Sequence, residues 1–301
     1  GQVVLKTMRS VQAIDSEIGG KLDSMPHVAA AGVTEIVDEN MANAARVHAI
    51  ENGKPMAGRT LVAFGGAAPL HAARLADKLG IEQVVVPQGA GVGSAIGFLR
   101  AQISYEVVRT RYMDLREFGS GRINELFTEM RAEAEAVVRL GAPDEPLVET
   151  RGAFMRYRGQ GHEIMVPLPD RDLTVDDGPA LEKWFAEAYS ALFSRSIPHL
   201  SVEALNWTLS LATDRPRAEA VTEITENYTP HAEATRSLFD PASGDWIEAA
   251  VYSRAALNPG ARIVGPAILV EDETTTLVTN GFGAAVNSLG QIVLTKEKAA
   301  V

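Results

Sequence analysis

The chain has 301 residues, no cysteine, and 28 Lys and Arg against 39 Asp and Glu, a net charge of −11. That balance argues against sequence-independent binding to nucleic acid, and the missing cysteines exclude a disulfide framework and thiolate chemistry. With 46% hydrophobic residues the chain is long enough for two domains, and no apolar run reaches the roughly 18 residues of a membrane span.

The start, GQVVLKTMRS, lacks the charged and then apolar pattern of a signal peptide. It also lacks an initiator methionine, so it reads as a processed or truncated chain, and the absent cysteines fit a cytoplasmic one. Val11 to Leu22 carries a helical stripe (Ala13, Ile14, Glu17, Ile18, Leu22) that Met25-Pro26 breaks. His27 to Glu51 reads as a long helix with Ala29, Val33, Ile36, Val37, Met41, Ala44, Ala45 and His48 down one side. Asn43 and Arg46 share a face; they read as a solvated polar stripe or as neighbours of a ligand or domain interface.

Leu61 to Arg100 organises the rest. An apolar strand, Leu61 to Phe64, runs into Gly65-Gly66-Ala67-Ala68-Pro69, and a helix follows from Leu70 to Leu79. Pro69 loses nothing at a first helical position, where its missing N–H has no partner. The glycines keep side chains away from the bend, and the helix N-terminus offers free N–H groups and positive potential. A second strand, Gln83 to Val86, and a second glycine turn, Gly89 to Gly93, complete a βαβ pattern with a parallel strand pair. Two readings stay open, a plain tight turn and a nucleotide-facing one. No Gly-Lys-Ser/Thr follows either turn, and no acidic residue completes a dinucleotide fingerprint. His71, in the first helical turn, is placed to approach a phosphate or ribose, or to pack as an ordinary histidine. Gly91 to Leu99 reads as a small-residue helix.

Ile103 to Leu115 alternates as a strand, and a domain boundary is expected near Arg116. Ile123 to Leu140 is a helix stopped by Gly141-Ala142-Pro143. Strands at Leu147 to Tyr157 and Ile164 to Val166 flank the polar turn Arg156 to Glu163. His162-Glu163 lacks partners at metal-ligand spacing, so no metal site is assigned; Gln160 and His162 are expected to pin a hairpin. Val175 to Phe193 is a helix with Leu181, Trp184, Phe185, Ala188, Tyr189 and Leu192 facing the core. Val202 to Ala212 reads as a strand, and Arg215-Pro216-Arg217 to Ala234 as a surface loop. Short strands follow at Ala267 to Val270, Thr274 to Val278, Ala284 to Val286 and Ile292 to Leu294. Thr274-Thr275-Thr276 reads as strand threonines, with no histidine nearby in sequence to make one a nucleophile.

FGGAAPLHAARLADKLG followed by VVVPQGAGVGSAIGFLRA resembles the hydantoinase A, 5-oxoprolinase and acetone carboxylase family. ENMANAAR before the first strand, the RY-x-GQ-x-HE turn and the tail GPAILVEDETTTLVTNGF resemble it too. The resemblance extends over nearly the whole chain but over only the C-terminal part of a family chain. It implies an α/β fold: the C-terminal part of an actin-like ATPase with an additional strand-rich α+β domain. Residues 1–116 would form the adenosine-side subdomain and 117–301 the second domain. Gly65, Gly66, Ala67, Ala68 and Pro69 would surround the adenosine of ATP or ADP, with Asn43 and His71 beside them. Ala68 stands where many relatives have glycine. The family's reaction activates a carbonyl by ATP-dependent phosphorylation. It opens a hydantoin or 5-oxoproline ring, or carboxylates a ketone, and involves a hydantoinase B-like subunit in a hetero-oligomer. The D-x-G-G-T hairpins that hold phosphate in the actin-like fold are absent from the sequence. Ligands for Mg2+, and the catalytic residues, would therefore lie outside this chain, leaving it inactive alone or serving as a docking module.

Overall fold

The computed structural model describes residues 6–197, 199–214 and 219–297. The chain divides into two compact units, Gly1–Leu99 with Glu219–Val301, and Arg100–Ala218. The expected division was a single break near Arg116. The chain instead leaves the first unit at Arg100 and returns to it after residue 218, because the C-terminal strands complete the first unit's sheet.

In the first unit, helix α1 (Thr7–Ile14) passes through a π-helical turn (Asp15–Gly19) toward the long α2 (Pro26–Glu51). Then come β1 (Thr60–Val62), α3 (Ala68–Leu79), β2 (Gln83–Val86) and α4 (Gly93–Leu99). β1 and β2 pair in parallel across α3, as the βαβ pattern requires. α3 ends on Gly80 in the left-handed region, a conformation glycine adopts without strain.

The second unit runs β3 (Ser104–Asp114), α5 (Ser120–Val138), β4 (Leu147–Tyr157), β5 (Ile164–Leu168), α6 (Gly178–Phe193) and β6 (Val202–Thr213). Its sheet has the order β3-β6-β4-β5, all antiparallel. Ile123, Phe127, Met130, Ala134 and Val138 of α5 recur at helical spacing and meet Leu181 and Phe185 of α6 and Trp207 of β6 in one core. Leu192, expected inside, is exposed, in the last turn of α6, which ends one residue later. The β4–β5 hairpin is pinned by Gln160, whose Nε2 donates to the Tyr189 hydroxyl at 3.1 Å. His162 takes no part in this; it is exposed.

Asp177 closes a capping box with Thr174 on the 3-10 turn (Val175–Asp177) that leads into α6. Its carboxylate accepts two bonds from Arg171 at 2.8 Å and one from the Thr174 N–H at 2.7 Å. The guanidinium and that N–H hold the carboxyl well below the usual aspartate range. A depressed folded-state pKa stabilises above the unfolded value, and that contribution fades as pH falls. Asp177→Ala is expected to lower stability by about 1–2 kcal/mol at neutral pH. The difference from wild type should shrink below about pH 4; urea unfolding at several pH values measures it.

The chain then supplies β7 (Ala234–Asp240), β8 (Asp245–Ser253), β9 (Arg262–Val264), β10 (Ala267–Val270), β11 (Thr275–Val278), β12 (Phe282–Val286) and β13 (Ile292–Lys296). β13 pairs antiparallel with β2, giving a mixed sheet of order β1-β2-β13-β12-β9. A second sheet has the order β11-β10-β8-β7. Of the loop expected from Arg215, Arg215 to Arg217 lie outside the described residues, and Tyr228 forms a bridge to Ala261.

α2 departs most from expectation. It buries Ala29, Asp38 and Ala42, while Val33, Ile36, Val37 and Ile50 are exposed, Ile36 at 64% and Ile50 at 77%. Polar contacts hold its inner side to α3: Asp38 meets His71, and Glu35 meets Arg74 and Lys78. Of the expected stripe, Val33, Ile36 and Val37 therefore face outward, whereas Ala29 is buried and Ala45 packs against the core. Among the described residues no helix is long and apolar enough to cross a membrane.

Candidate functional site: a bare glycine turn and the cavity beside it

The bend after β1 is fixed from three sides. The Gly65 N–H donates to the Ala90 carbonyl at 2.9 Å, tying the two glycine turns together. The Gly66 carbonyl accepts from Thr274 Oγ1 at 2.7 Å. Gly91 lies against the Glu271–Thr274 turn so closely that a Cβ there would sit 2.7 Å from Glu273 Cβ. Gly93 is equally constrained, with a Cβ position 2.3 Å from the Phe64 ring. These two glycines serve close packing.

Gly65 and Gly66 differ from them. Gly65 has φ of +118°, a region that side chains rarely tolerate, and a Cβ there would meet nothing within 4 Å. A Cβ on Gly66 would meet only the Glu273 carbonyl, at 3.4 Å. Gly66 and Ala67 are exposed, Ala68 is partly buried and Pro69 is buried within the first turn of α3. The bend thus presents bare backbone to open space at a helix N-terminus. The Phe64 ring, 55% exposed, stands beside it.

The other expected site residues lie apart from this surface. His71 turns toward α2, where Nδ1 meets Asp38 Oδ1 at 2.7 Å and Asp38 is 2% exposed. Asn43 is exposed and accepts from Arg46 Nη1 at 2.8 Å, while Arg46 Nη2 donates to the Lys78 carbonyl at 2.8 Å. Lys78 is in the last turn of α3, about 15 Å along the helix from the glycine turn at 1.5 Å per residue. Arg46 also meets Glu39, and Lys78 meets Glu35 and Glu39. Hydrogen bonds from Lys78, reinforced by Arg74 and Arg46, hold both glutamates below their usual range. This network clamps α2 to α3.

The Glu271–Thr274 turn is the part of the site that local sequence did not reveal. Thr274 is 208 residues from Gly66, and no short-range signal links them. Burial, opposed by Arg254 and aided by Glu273, raises the Glu271 carboxyl. Thr276 is buried, as a strand residue rather than an accessible nucleophile.

α2, α3 and the second sheet line an open pocket of about 600 Å³, with His71, Asp38, Arg74, Leu70, Phe239 and Trp246 in its walls and none of Gly65 to Pro69 among them. Among the described residues no group of three or more His, Asp or Glu side chains is placed to hold a metal ion.

Residues 1–107 match the Hydantoinase/oxoprolinase family, and residues 116–295 match the Hydantoinase/oxoprolinase C-terminal domain. The chain is 28% identical to caprolactamase subunit alpha of Pseudomonas jessenii, over 98% of this chain and 43% of the relative. It is 26% identical to 5-oxoprolinase PfmaA of Pestalotiopsis fici, over 85% of this chain and 20% of the relative. A nucleotide-free acetone carboxylase structure, described as part of an ATP-dependent carboxylation mechanism, superposes with a TM-score of 0.80 at 26% identity, covering 98% of this chain and 44% of that one. The chain thus spans less than half the length of the relatives it matches, and the expected mixed α/β fold is shared with a solved member.

Proposed function

Because the chain belongs to the hydantoinase/oxoprolinase family, we propose that it is the C-terminal portion of an ATP-dependent enzyme whose glycine turn holds the adenosine of ATP or ADP. The observation that carries this is the bare backbone of Gly65 and Gly66, open to space at the N-terminus of α3. A flat base can lie against a surface without Cβ atoms, and Gly65 to Ala68 would line it while Pro69 sets the helix.

The reaction is ATP-dependent activation of a carbonyl. Transfer of the γ-phosphoryl group from ATP to the carbonyl oxygen, with ADP leaving, makes the carbon electrophilic; water adds there, the C–N bond breaks with the proton going to nitrogen, and a second water releases phosphate from the acyl phosphate. Relatives named caprolactamase and 5-oxoprolinase favour this hydrolytic reading. The acetone carboxylase likeness favours ketone activation as the alternative. Magnesium and phosphate would be held by residues outside this chain, since it has no D-x-G-G-T hairpin. No catalytic residue is assigned.

The outward apolar stripe of α2 supports a second reading, that this portion also docks a hydantoinase B-like subunit. Calorimetry of ADP with the 301-residue chain tests the first reading; saturable one-to-one binding is expected, and none would remove it. Co-purification with a B-like subunit, weakened by Ile36→Glu, is expected if α2 is the docking face. Assay of the longer gene product with hydantoin, 5-oxoproline, caprolactam and acetone would separate the substrates.

A further inference from the structure

We propose that β3 is a dimerisation edge: two copies of this chain join their β3 strands antiparallel about a two-fold axis at Val108, which makes their two sheets one. The order β3-β6-β4-β5 leaves β3 and β5 as the edges of the second unit's sheet. The two edges differ. β5 has five residues, and Pro167 among them offers no N–H. β3 has eleven, with neither proline nor lysine, and Ser104, Glu106, Val108, Thr110 and Tyr112 are exposed. Its bulge lies beyond Thr110, so the run from Ser104 to Thr110 is regular. Edges that must stay unpaired are usually short, interrupted or guarded by lysine or proline.

The backbone of this run is half unused. The Thr213 N–H donates to the Ile103 carbonyl at 2.9 Å. In an antiparallel pair the bonded positions recur at every second residue, so Ile103, Tyr105, Val107 and Arg109 face β6. Ser104, Glu106, Val108 and Thr110 turn their N–H and C=O groups outward. None of these groups has a backbone partner among the described residues. The Val108 carbonyl accepts only from the neighbouring Arg109 Nη1, at 3.1 Å. A copy centred on Val108 would exchange two bonds there and two at each Glu106–Thr110 pair, about six in all.

The pattern of side chains about Val108 identifies the occupant as a second copy. Across a two-fold axis, residues equally far from the centre face each other. Glu106 then meets Thr110, a carboxylate against a hydroxyl. Tyr105 meets Arg111, a ring against a cation. Val107 meets Arg109, whose guanidinium is already held by Glu133 of α5. A centre at Glu106 or at Arg109 would instead set identical charges directly opposite, which destabilises a strand pair. α5 adds apolar surface. It packs over β3 and β6, and Glu133 marks the side that looks toward the free edge. Val137 and Leu140, four and seven residues on, share that side and are 39% and 86% exposed. With α5 over the gap between β3 and β6, the helices of the two copies would run antiparallel about 10 Å apart, close to the spacing of packed helices.

Sedimentation velocity of the 301-residue chain, over about a hundredfold range of concentration, tests this; a shift from monomer to dimer in the micromolar range is expected. Val108→Lys sets a charge against its own copy on the axis and should weaken the dimer at least tenfold. Val108→Pro removes an outward N–H that the folded chain does not use, and should do the same. A thermal melt of each variant checks the fold. Met165→Lys, on the β5 edge, should leave the dimer unchanged. The chain has no cysteine, so Val108→Cys is a unique probe. A hydrogen-bonded pair holds its Cα atoms about 5.5 Å apart, within disulfide reach, whereas Thr110→Cys would sit about 14 Å from its own copy. Mild oxidation is therefore expected to crosslink the first and not the second. A chain that stays monomeric, a dimer indifferent to both Val108 changes or weakened equally by Met165→Lys, or equal crosslinking of the two cysteine variants overturns the proposal. A monomer whose co-purification with a B-like subunit is lost in Val108→Lys also overturns it, and gives the edge to that subunit.

Discussion

Replacing Gly66 with valine is expected to weaken ADP binding at least tenfold while the chain keeps its fold. The glycines of this region are not equivalent, and that makes the experiment clean. At Gly91 an added Cβ lands 2.8 Å from the Glu273 carbonyl oxygen, so substitution there forces backbone apart whether or not a ligand is present. At Gly65 the backbone has φ of +118°, and a β-branched residue would be strained before any ligand arrived. Gly66 has neither problem. Its nearest neighbour is the Glu273 carbonyl, 3.4 Å from the Cβ position, which needs to give by only a few tenths of an ångström. The Thr274 hydroxyl still reaches the Gly66 carbonyl, because that bond uses backbone alone. What valine changes is the open side. Two methyl groups would fill the space where a base must approach the main chain, and a loss of about 1.4 kcal/mol is already tenfold in affinity. Calorimetry gives the affinity, and a thermal melt of the same sample gives the stability. Equal ADP affinity in Gly66→Val and wild type would leave the turn a structural bend only.

The βαβ unit was legible because its signals are local. Pro69 at the start of α3, Gly80 at its end and the run Gln83 to Val86 each mark an element by near neighbours. What escaped depends on distance in sequence. β13 completes the sheet beside β2, and nothing in Ile292 to Lys296 names that partner. The β7–β8 hairpin escaped because Ala234 to Ser237 are exposed on both faces, so no alternation marks a strand. α2 misled in the opposite way. Its apolar periodicity is real, but the largest members of that side, Val33, Ile36 and Val37, are left uncovered, because Glu35, Asp38 and Glu39 bind α3 through charge. Periodicity finds an apolar face without saying what covers it. The candidate site divides along the same line. Gly65 to Pro69 were found as a contiguous motif, whereas Asn43 lies at the far end of α3 and the Thr274 contact had no local trace.

Trp207→Ala is expected to destabilise the second unit by about 3–5 kcal/mol, yet leave ADP affinity within about twofold of wild type below the melting transition. Trp207 is fully buried, with its ring against Phe127 at a centroid distance of 5.9 Å and its indole N–H donating to the Arg111 carbonyl at 3.0 Å. Alanine would leave a cavity at the centre of that core and an unpaired carbonyl on β3. No smaller neighbour can fill the space, because Met130, Leu181, Phe185 and Leu209 are themselves fully buried. The glycine turn belongs to a different core, built on Ala63, Ala72, Ala76, Val84 and Leu294. If each core holds its own unit, the damage stays with the second, and urea unfolding of the variant shows an early transition that ADP does not shift. ADP should raise only the later transition, since a ligand stabilises the part that binds it. A variant whose ADP affinity falls in step with its stability would mean that the adenosine surface depends on the inserted unit, and the site would then have to be drawn to include it.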